Sequence, residues 1–270
     1  MSWWGKLAGG AFGFMVGGPI GAVLGAVLGH NLDKGLKGLS DEESFAPGDQ
    51  ERVQTAFFTT TFTVMGAIAK ADGRVSPDEI ALAKSVMDEM DLSSDMRQAA
   101  INLFNQGKSA DFPLDEVLDQ FRTECHRRNT LIQMFIEIQL QAAYADGTLD
   151  KAEEQLLLQI CSRLGIPEFV FRRLEKMIQA ERHYGGQTGG GRRAEPRASG
   201  PTLTDAYAIL NVSPQVSDAE VKKSYRRLLS QHHPDKLVSK GLPEEMMKMA
   251  AQKTHEIRQA YEKVKQARGI

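Results

Sequence analysis

At 270 residues the chain is long enough for more than one domain, and 41% hydrophobic with 25% charged residues is ordinary for globular protein. A net charge of -2 hides an acidic middle and a basic end: residues 41–180 hold 24 acidic and 14 basic side chains, and residues 200–270 hold 8 and 12. Two cysteines, Cys125 and Cys161, exclude a disulfide framework and carry no CxxC metal or redox signature.

Residues 7–29, LAGGAFGFMVGGPIGAVLGAVLG, contain no charge. As a helix, about 22 residues cover roughly 33 Å, close to the ~30 Å hydrocarbon core of a bilayer. Trp3 and Trp4 stand just outside, where amphipathic aromatics favour the interface. Residues 1–32 are therefore expected to be a single transmembrane anchor. Gly9, Gly13, Gly17, Gly21, Gly25 and Gly29 fall at every fourth position and line one helix face. Such a groove lets a second helix approach closely, and a homodimer through the span is expected. Residues 33–49 are read as a juxtamembrane linker.

Residues 50–182 read as helical. Apolar residues recur at three- and four-residue steps, as in Leu131, Met134, Phe135 and Ile138. Breakers at Gly73, Gly107, Pro113, Gly147 and Gly165–Pro167 divide the segment into helices near 50–71, 77–90, 93–106, 114–126, 129–145, 151–164 and 168–182. One pattern occurs twice: Ala69 to Ser76 aligns with Ala143 to Asp150, and Glu79 matches Glu153. Asp72, Asp78, Asp146 and Asp150 invite a metal-site reading. Local physics explains more: Gly73 and Gly147 suit a left-handed helix stop, and Ser76 and Asp150 are N-caps with a glutamate three residues on. No metal ligand is assigned. The doubled pattern resembles the TerB-like domain, which implies a helical fold and no defined chemistry.

Residues 183–201, HYGGQTGGGRRAEPRASGP, hold too few apolar groups for a core and are expected to be a flexible linker. With a reach of about 25 Å it leaves the last module free to move.

Residues 202–270 read as three helices: a short one at Asp205–Asn211, a second after the N-cap Ser217 that ends at Pro234, and a third from about Glu244 to Ala267. On the second, Val221, Tyr225, Leu228 and Leu229 share one stripe, while Lys222, Lys223, Arg226 and Arg227 fall opposite. The third offers Met247, Ala250, Ile257, Ala260, Tyr261 and Val264 as the partner stripe. Between them lies His232-His233-Pro234-Asp235-Lys236. A basic helix face alone is a solvated surface or a nucleic-acid contact.

The order YAILNVS, VKKSYRRLLSQHHPDK, EIRQAYEKVK changes that reading, because it resembles the J-domain. Thr254 departs from the family, standing where many J-domains place a core phenylalanine, and Met247 is the expected substitute. With the anchor and the TerB-like middle, nearly the whole chain resembles the DjlA family of inner-membrane DnaJ-like proteins. The architecture expected is all-α. The resemblance implies a co-chaperone, not an enzyme, that stimulates the ATPase of a cytoplasmic DnaK-type chaperone for membrane-proximal clients. His233, Pro234, Asp235, Lys222, Lys223, Arg226, Arg227 and Lys236 are the implied chaperone contacts, with no cofactor and no nucleic acid. The N-terminus is expected in the periplasm and the bulk of the chain in the cytoplasm. The alternative is a membrane scaffold or stress-signalling protein whose TerB-like domain binds partners or metal.

Overall fold

The computed structural model describes residues 17–32, 48–71, 73, 84, 86–88, 90, 92–144, 147–185 and 202–270. Trp3, Trp4, Gly9, Gly13, the 33–47 segment, Asp72, Asp78, Asp146, the Ser76–Glu79 turn and residues 186–201 lie outside the described residues. All regular structure among the described residues is helical.

Helix α1 covers Gly18–Leu32 and α2 covers Asp49–Ala69. They are followed by α3 (Ser94–Gly107), α4 (Leu114–Glu124), α5 (Asn129–Ala143), α6 (Lys151–Arg163) and α7 (Glu168–Gly185). Helix α2 is the axle. It packs against α1, α3, α4, α5 and α6, so nearly every residue from Val53 to Ala69 is buried. That is why its sequence is apolar or small all round rather than striped. Phe57, Phe121 and Phe135 meet at its centre with ring centroids 4.8–6.4 Å apart.

The closest approach is between α2 and α3. A Cβ on Gly66 would lie 2.0 Å from the Phe104 carbonyl oxygen, and one on Gly107 would lie 1.8 Å from that of Thr63. Two glycines, one on each helix, let the backbones touch. Gly147 has φ 109° and Gly73 φ 87°, the left-handed stops expected at the repeated turns. Asp150 caps α6: its side chain accepts from the Ala152 N–H at 2.7 Å while Glu153 accepts from the Asp150 N–H at 3.1 Å. Of the four aspartates of the metal reading, the one described is occupied as a cap.

Of the expected anchor, only residues 17–32 are among the described residues. Gly17 and Gly18 take left-handed backbone, with φ 58° and 63°, and the helix runs fifteen residues from Gly18. Ile20, Val23, Leu24 and Val27 are buried against the α2–α4 side of the bundle, and Gln120 holds the helix start through Ile20 N–H and Gly17 C=O. No helix among the described residues is long and apolar enough to cross a membrane. Gly17 and Gly25 are exposed and a Cβ on Gly25 meets nothing within 4 Å, but Gly21 between them is buried, so the described ladder positions do not share one open face as expected.

The C-terminal module consists of α8 (Leu203–Ile209), α9 (Asp218–Gln231), α10 (Pro234–Val238), a 3-10 turn at Glu244–Met246 and α11 (Met247–Arg268). Ser217 and Glu220 form the expected capping box on α9, and Thr202 with Asp205 forms another on α8. Val221, Leu228, Ile257, Ala260 and Val264 are buried together, and Tyr225 stacks on Tyr261 at 4.0 Å. Arg268 closes the module, donating to the Tyr207 hydroxyl at 2.7 Å, the Pro214 and Val216 carbonyls and the Asp218 carboxylate.

Three expectations need correction. Pro234 does not merely end a helix: α9 stops at Gln231, and Pro234 opens α10 at its first position, where its missing N–H costs nothing. Met247 is 40% exposed and does not replace the missing phenylalanine; the 3-10 turn rotates the entry to α11 so that Met246, Met249 and Ala250 go inward. The linker expected from residue 183 begins later, because α7 continues to Gly185.

The last module is not free. Leu237, Leu242, Met246, Met249 and Ala250 belong to the same buried cluster as the core around α2. Gly241 (φ 106°) approaches α2 so closely that a Cβ would sit 2.5 Å from Val53 Cγ1. Lys240 Nζ reaches Thr130 Oγ1 at 3.1 Å, and Ala180 of α7 enters the cluster around Val221. The flexible tether foreseen from composition thus joins two bodies that are already packed together.

The α2–α3 contact gives a direct test. Gly107→Ala forces a methyl into the Thr63 carbonyl and should destabilise the fold by about 1–3 kcal/mol in urea denaturation.

Candidate functional site

The site is the corner between α9 and α10. Helix α9 buries Val221, Ser224 and Leu228, with Ser224 Oγ donating to the Leu210 carbonyl at 2.7 Å. That fixes its roll and leaves Lys222, Lys223, Arg226 and Arg227 exposed on the outer face, as expected. The next two residues divide sharply. His232 is buried, whereas the side chain of His233 is 49% exposed and that of Asp235 84%. His233 is the N-cap residue of α10, and Asp235 lies in its first turn. The pair is thus held at the start of a short helix. His233 Nδ1 lies 4.0 Å from Asp235 Oδ2. Lys236 is exposed, and its Nζ donates to Ser230 Oγ at 2.6 Å, tying α10 back to α9. All eight expected contact residues therefore come together except that Pro234 is half-buried at the hinge.

Below the corner lies a charged cluster that patterning did not single out. Lys253 of α11 has its side chain only 3% exposed. Its Nζ is 2.7 Å from Glu181 Oε1 of α7 and 3.2 Å from Glu137 Oε2 of α5. His232 Nε2 is 3.8 Å from Glu137 Oε1. Burial lifts the Glu181 carboxyl to about 8 against the pull of Lys253, with Glu256 and Glu137 adding to the rise. Burial opposes the charge on Lys253, but Glu137 and Glu181 outweigh it and hold its pKa above the usual value. Burial keeps His232 neutral, with its pKa below the usual range. Lys253 is thus held in its charged form, and burial favours the protonated form of Glu181. A signal did exist in the sequence. Lys253 interrupts the Ala250–Ile257 stripe, and Glu137 interrupts the run MFIEIQL.

Both thiols are buried, and burial pushes Cys125 and Cys161 up to about 12, which removes them from nucleophilic chemistry. Among the described residues no group of three or more His, Cys, Asp or Glu could hold a metal ion.

Comparison with known proteins matches this architecture part by part. Residues 1–39 match the co-chaperone DjlA transmembrane domain, 59–176 the tellurite resistance protein TerB and 205–268 the DnaJ domain. The chain is 46% identical over 275 residues to the co-chaperone protein DjlA of Escherichia coli, and 44% identical to that of Coxiella burnetii. Both matches cover 100% of each chain. The chain belongs to the DjlA family. It is a membrane-anchored J-domain co-chaperone of this family, and the His233-Pro234-Asp235 corner lies within the matched DnaJ domain. The DjlA protein of Yersinia pestis is 45% identical over 279 residues. No solved structure matches the chain.

The cluster makes stability depend on pH. Folding raises the Glu181 pKa from an ordinary 4.5, so the docked state holds a proton that the undocked state releases. Its contribution is complete below the ordinary value and is lost as pH rises through about 8. The wild-type melting temperature should fall between about pH 6.5 and about pH 8, and Glu181→Gln should flatten that slope. Lys253→Met leaves Glu137 buried without its cation and should cost about 3–5 kcal/mol in denaturant titration.

Proposed function

We propose that this chain recruits a DnaK-type chaperone to the cytoplasmic face of a membrane and stimulates its ATPase for membrane-proximal clients. The observation that carries this reading is the separation of neighbours at the signature. His232 is locked beneath the surface, while His233 and Asp235 are offered to solvent beside four exposed cations. A basic face steers an acidic partner, and a rigid tip makes contacts that favour one state of that partner. Lys222, Lys223, Arg226, Arg227 and Lys236 supply the charge. His233 and Asp235, placed by Pro234, supply the differential contact. The partner hydrolyses its own ATP, and this chain contributes no chemical step. In a single-turnover ATPase assay of the partner with the full chain, His233→Gln or Asp235→Asn should return the rate to the unstimulated value. Thermal melts of both variants should stay near wild type, since neither side chain is buried. Full stimulation by either folded variant would refute the proposal.

The same reading sets the topology. Access to a chaperone and ATP requires residues 30–270 in the cytoplasm, with the N-terminus outside. Two free cysteines agree with a reducing compartment. Pairing of two anchors through the glycine ladder is part of the proposal, supported by the open face at Gly25. Trypsin added to intact spheroplasts should leave the chain whole, and lysis should permit cutting at Arg192, Arg193 and Arg197. Cross-linking in the same spheroplasts should trap a dimer that Gly25→Leu removes. Cutting before lysis, or a dimer indifferent to Gly25→Leu, is the opposing outcome for each part.

A further inference from the structure

Helix α1 and the membrane span lay claim to the same residues. The uncharged run covers 7–29, and α1 takes Gly18–Leu32 of the matched transmembrane domain onto the TerB-like bundle. Length makes the two placements exclusive. As helix, the fifteen residues of α1 reach about 22 Å and the ten residues at 7–16 about 15 Å, so neither part alone crosses a hydrocarbon core of about 30 Å. Joined in one helix, residues 7–29 do cross it. A span therefore forms only when α1 has left the bundle.

The structure carries the means of exchange. Gly17 and Gly18 stand at φ 58° and 63°, left-handed backbone that interrupts a joined helix at its middle. Glycine passes between left-handed and helical backbone without a Cβ penalty, so the pair is a hinge. Pro19 lies in the first turn of α1, where its missing N–H costs nothing, and in a joined helix it makes a kink of the kind bilayers tolerate. Ile20, Val23, Leu24 and Val27 are buried against α2, α3 and α4, and hydrocarbon keeps them out of water equally well. The directional contact is Gln120 of α4. Its Oε1 accepts from the Ile20 N–H at 2.8 Å, and its Nε2 donates to the Gly17 carbonyl at 2.9 Å. Leaving the bundle breaks that clasp and uncovers the bundle face. Entering the bilayer removes Ala22, Gly25 and Ala26, exposed on the bundle, from water.

We propose that α1 is a strap with two alternative partners, the face of the TerB-like domain formed by α2, α3 and α4 and the lipid bilayer, and that it swings between them on Gly17-Gly18. The docked form shelters the apolar stripe of the anchor away from the membrane. The inserted form opens that face of the TerB-like domain. The inference rests on the membrane-anchor reading and deepens it.

The test uses the full chain with nitroxide labels at Ala26→Cys on α1 and Glu116→Cys on α4, both exposed positions. Cys125 and Cys161 are buried and do not compete for label. The labelled chain, diluted with unlabelled chain, is dialysed out of detergent either without lipid or into vesicles of phosphatidylethanolamine and phosphatidylglycerol. Double electron–electron resonance should give a short distance without lipid and a long one in vesicles, where the Ala26 label should also be shielded from a water-soluble nickel relaxant. At limiting lipid both distances should be present, and their ratio reads the balance. A Cβ on Gly17 meets nothing within 4 Å, so Gly17→Ala acts on the backbone alone and should lower the docked-to-inserted ratio about tenfold. Gln120→Ala, which removes the clasp from the other side, should lower it about fivefold. Circular dichroism checks that both variants are folded. A short distance that persists in vesicles, a long one already present without lipid, or a ratio unchanged by Gly17→Ala overturns the proposal. Cosedimentation separates the failures: a chain that sediments with its short distance intact has an anchor without exchange, and a chain that stays behind lacks the anchor as well. No readout involves the chaperone, so the co-chaperone reading stands or falls separately.

Discussion

The arrangement of the domains depends on one buried ammonium. Lys253 stands between Glu137 and Glu181, with all three side chains at least about 90% out of water. Transferring these charges from water is expensive, and the expense is met only if each finds its partner at hydrogen-bond distance. Lys253 comes from the J-domain, and both glutamates come from the TerB-like domain. The cations and anions therefore meet in one relative placement of the two bodies. The apolar contacts of Leu237, Leu242 and Met246 add burial, but greasy contact tolerates sliding. The ion cluster does not, because a displacement of an ångström or two leaves a charge unpaired in a low-dielectric setting.

That constraint explains why the signature is presented rather than hidden. The inner end of α9 is drawn down through His232 toward Glu137. Proline at the first position of α10 then turns the chain so that His233 and Asp235 emerge on the surface. The docked faces of the J-domain are α8, which packs on α7, together with α10, the turn after it and the start of α11. The basic face of α9 points elsewhere and stays in solvent. Docking thus leaves the exposed cations of α9 uncovered.

The anchor region shows the same economy of faces. Helix α1 buries Ile20, Val23, Leu24 and Val27 on the bundle, a stripe with helical spacing, and leaves Gly17 and Gly25 exposed. The family's transmembrane domain covers residues 1–39, and the part of it that is described here is continuous with the TerB-like core. Gln120 fastens the helix start through a donor and an acceptor at once.

Much of this was legible in the chain itself. Glycine and proline breakers, N-caps and three- and four-residue apolar steps placed six of the seven expected helices of the TerB-like domain within a few residues, because those signals act locally, and the 77–90 helix lies mostly outside the described residues. The capping boxes at Asp150 and Ser217 and the outward cations of α9 are of the same kind. So is His-Pro-Asp, whose order along the chain is its identity. The docking was not legible. Lys253, Glu137 and Glu181 are 72 or more residues apart in at least one pairing, and each looks like an ordinary surface charge until its neighbours are known. The approach of α2 to α3 was equally silent, since Gly66 and Gly107 read as breakers or filler one at a time. Local periodicity determined which residues form helices and which face is apolar. Only the tertiary structure decided which apolar face meets which, because burial and charge pairing depend on groups that come together only when the whole chain is folded.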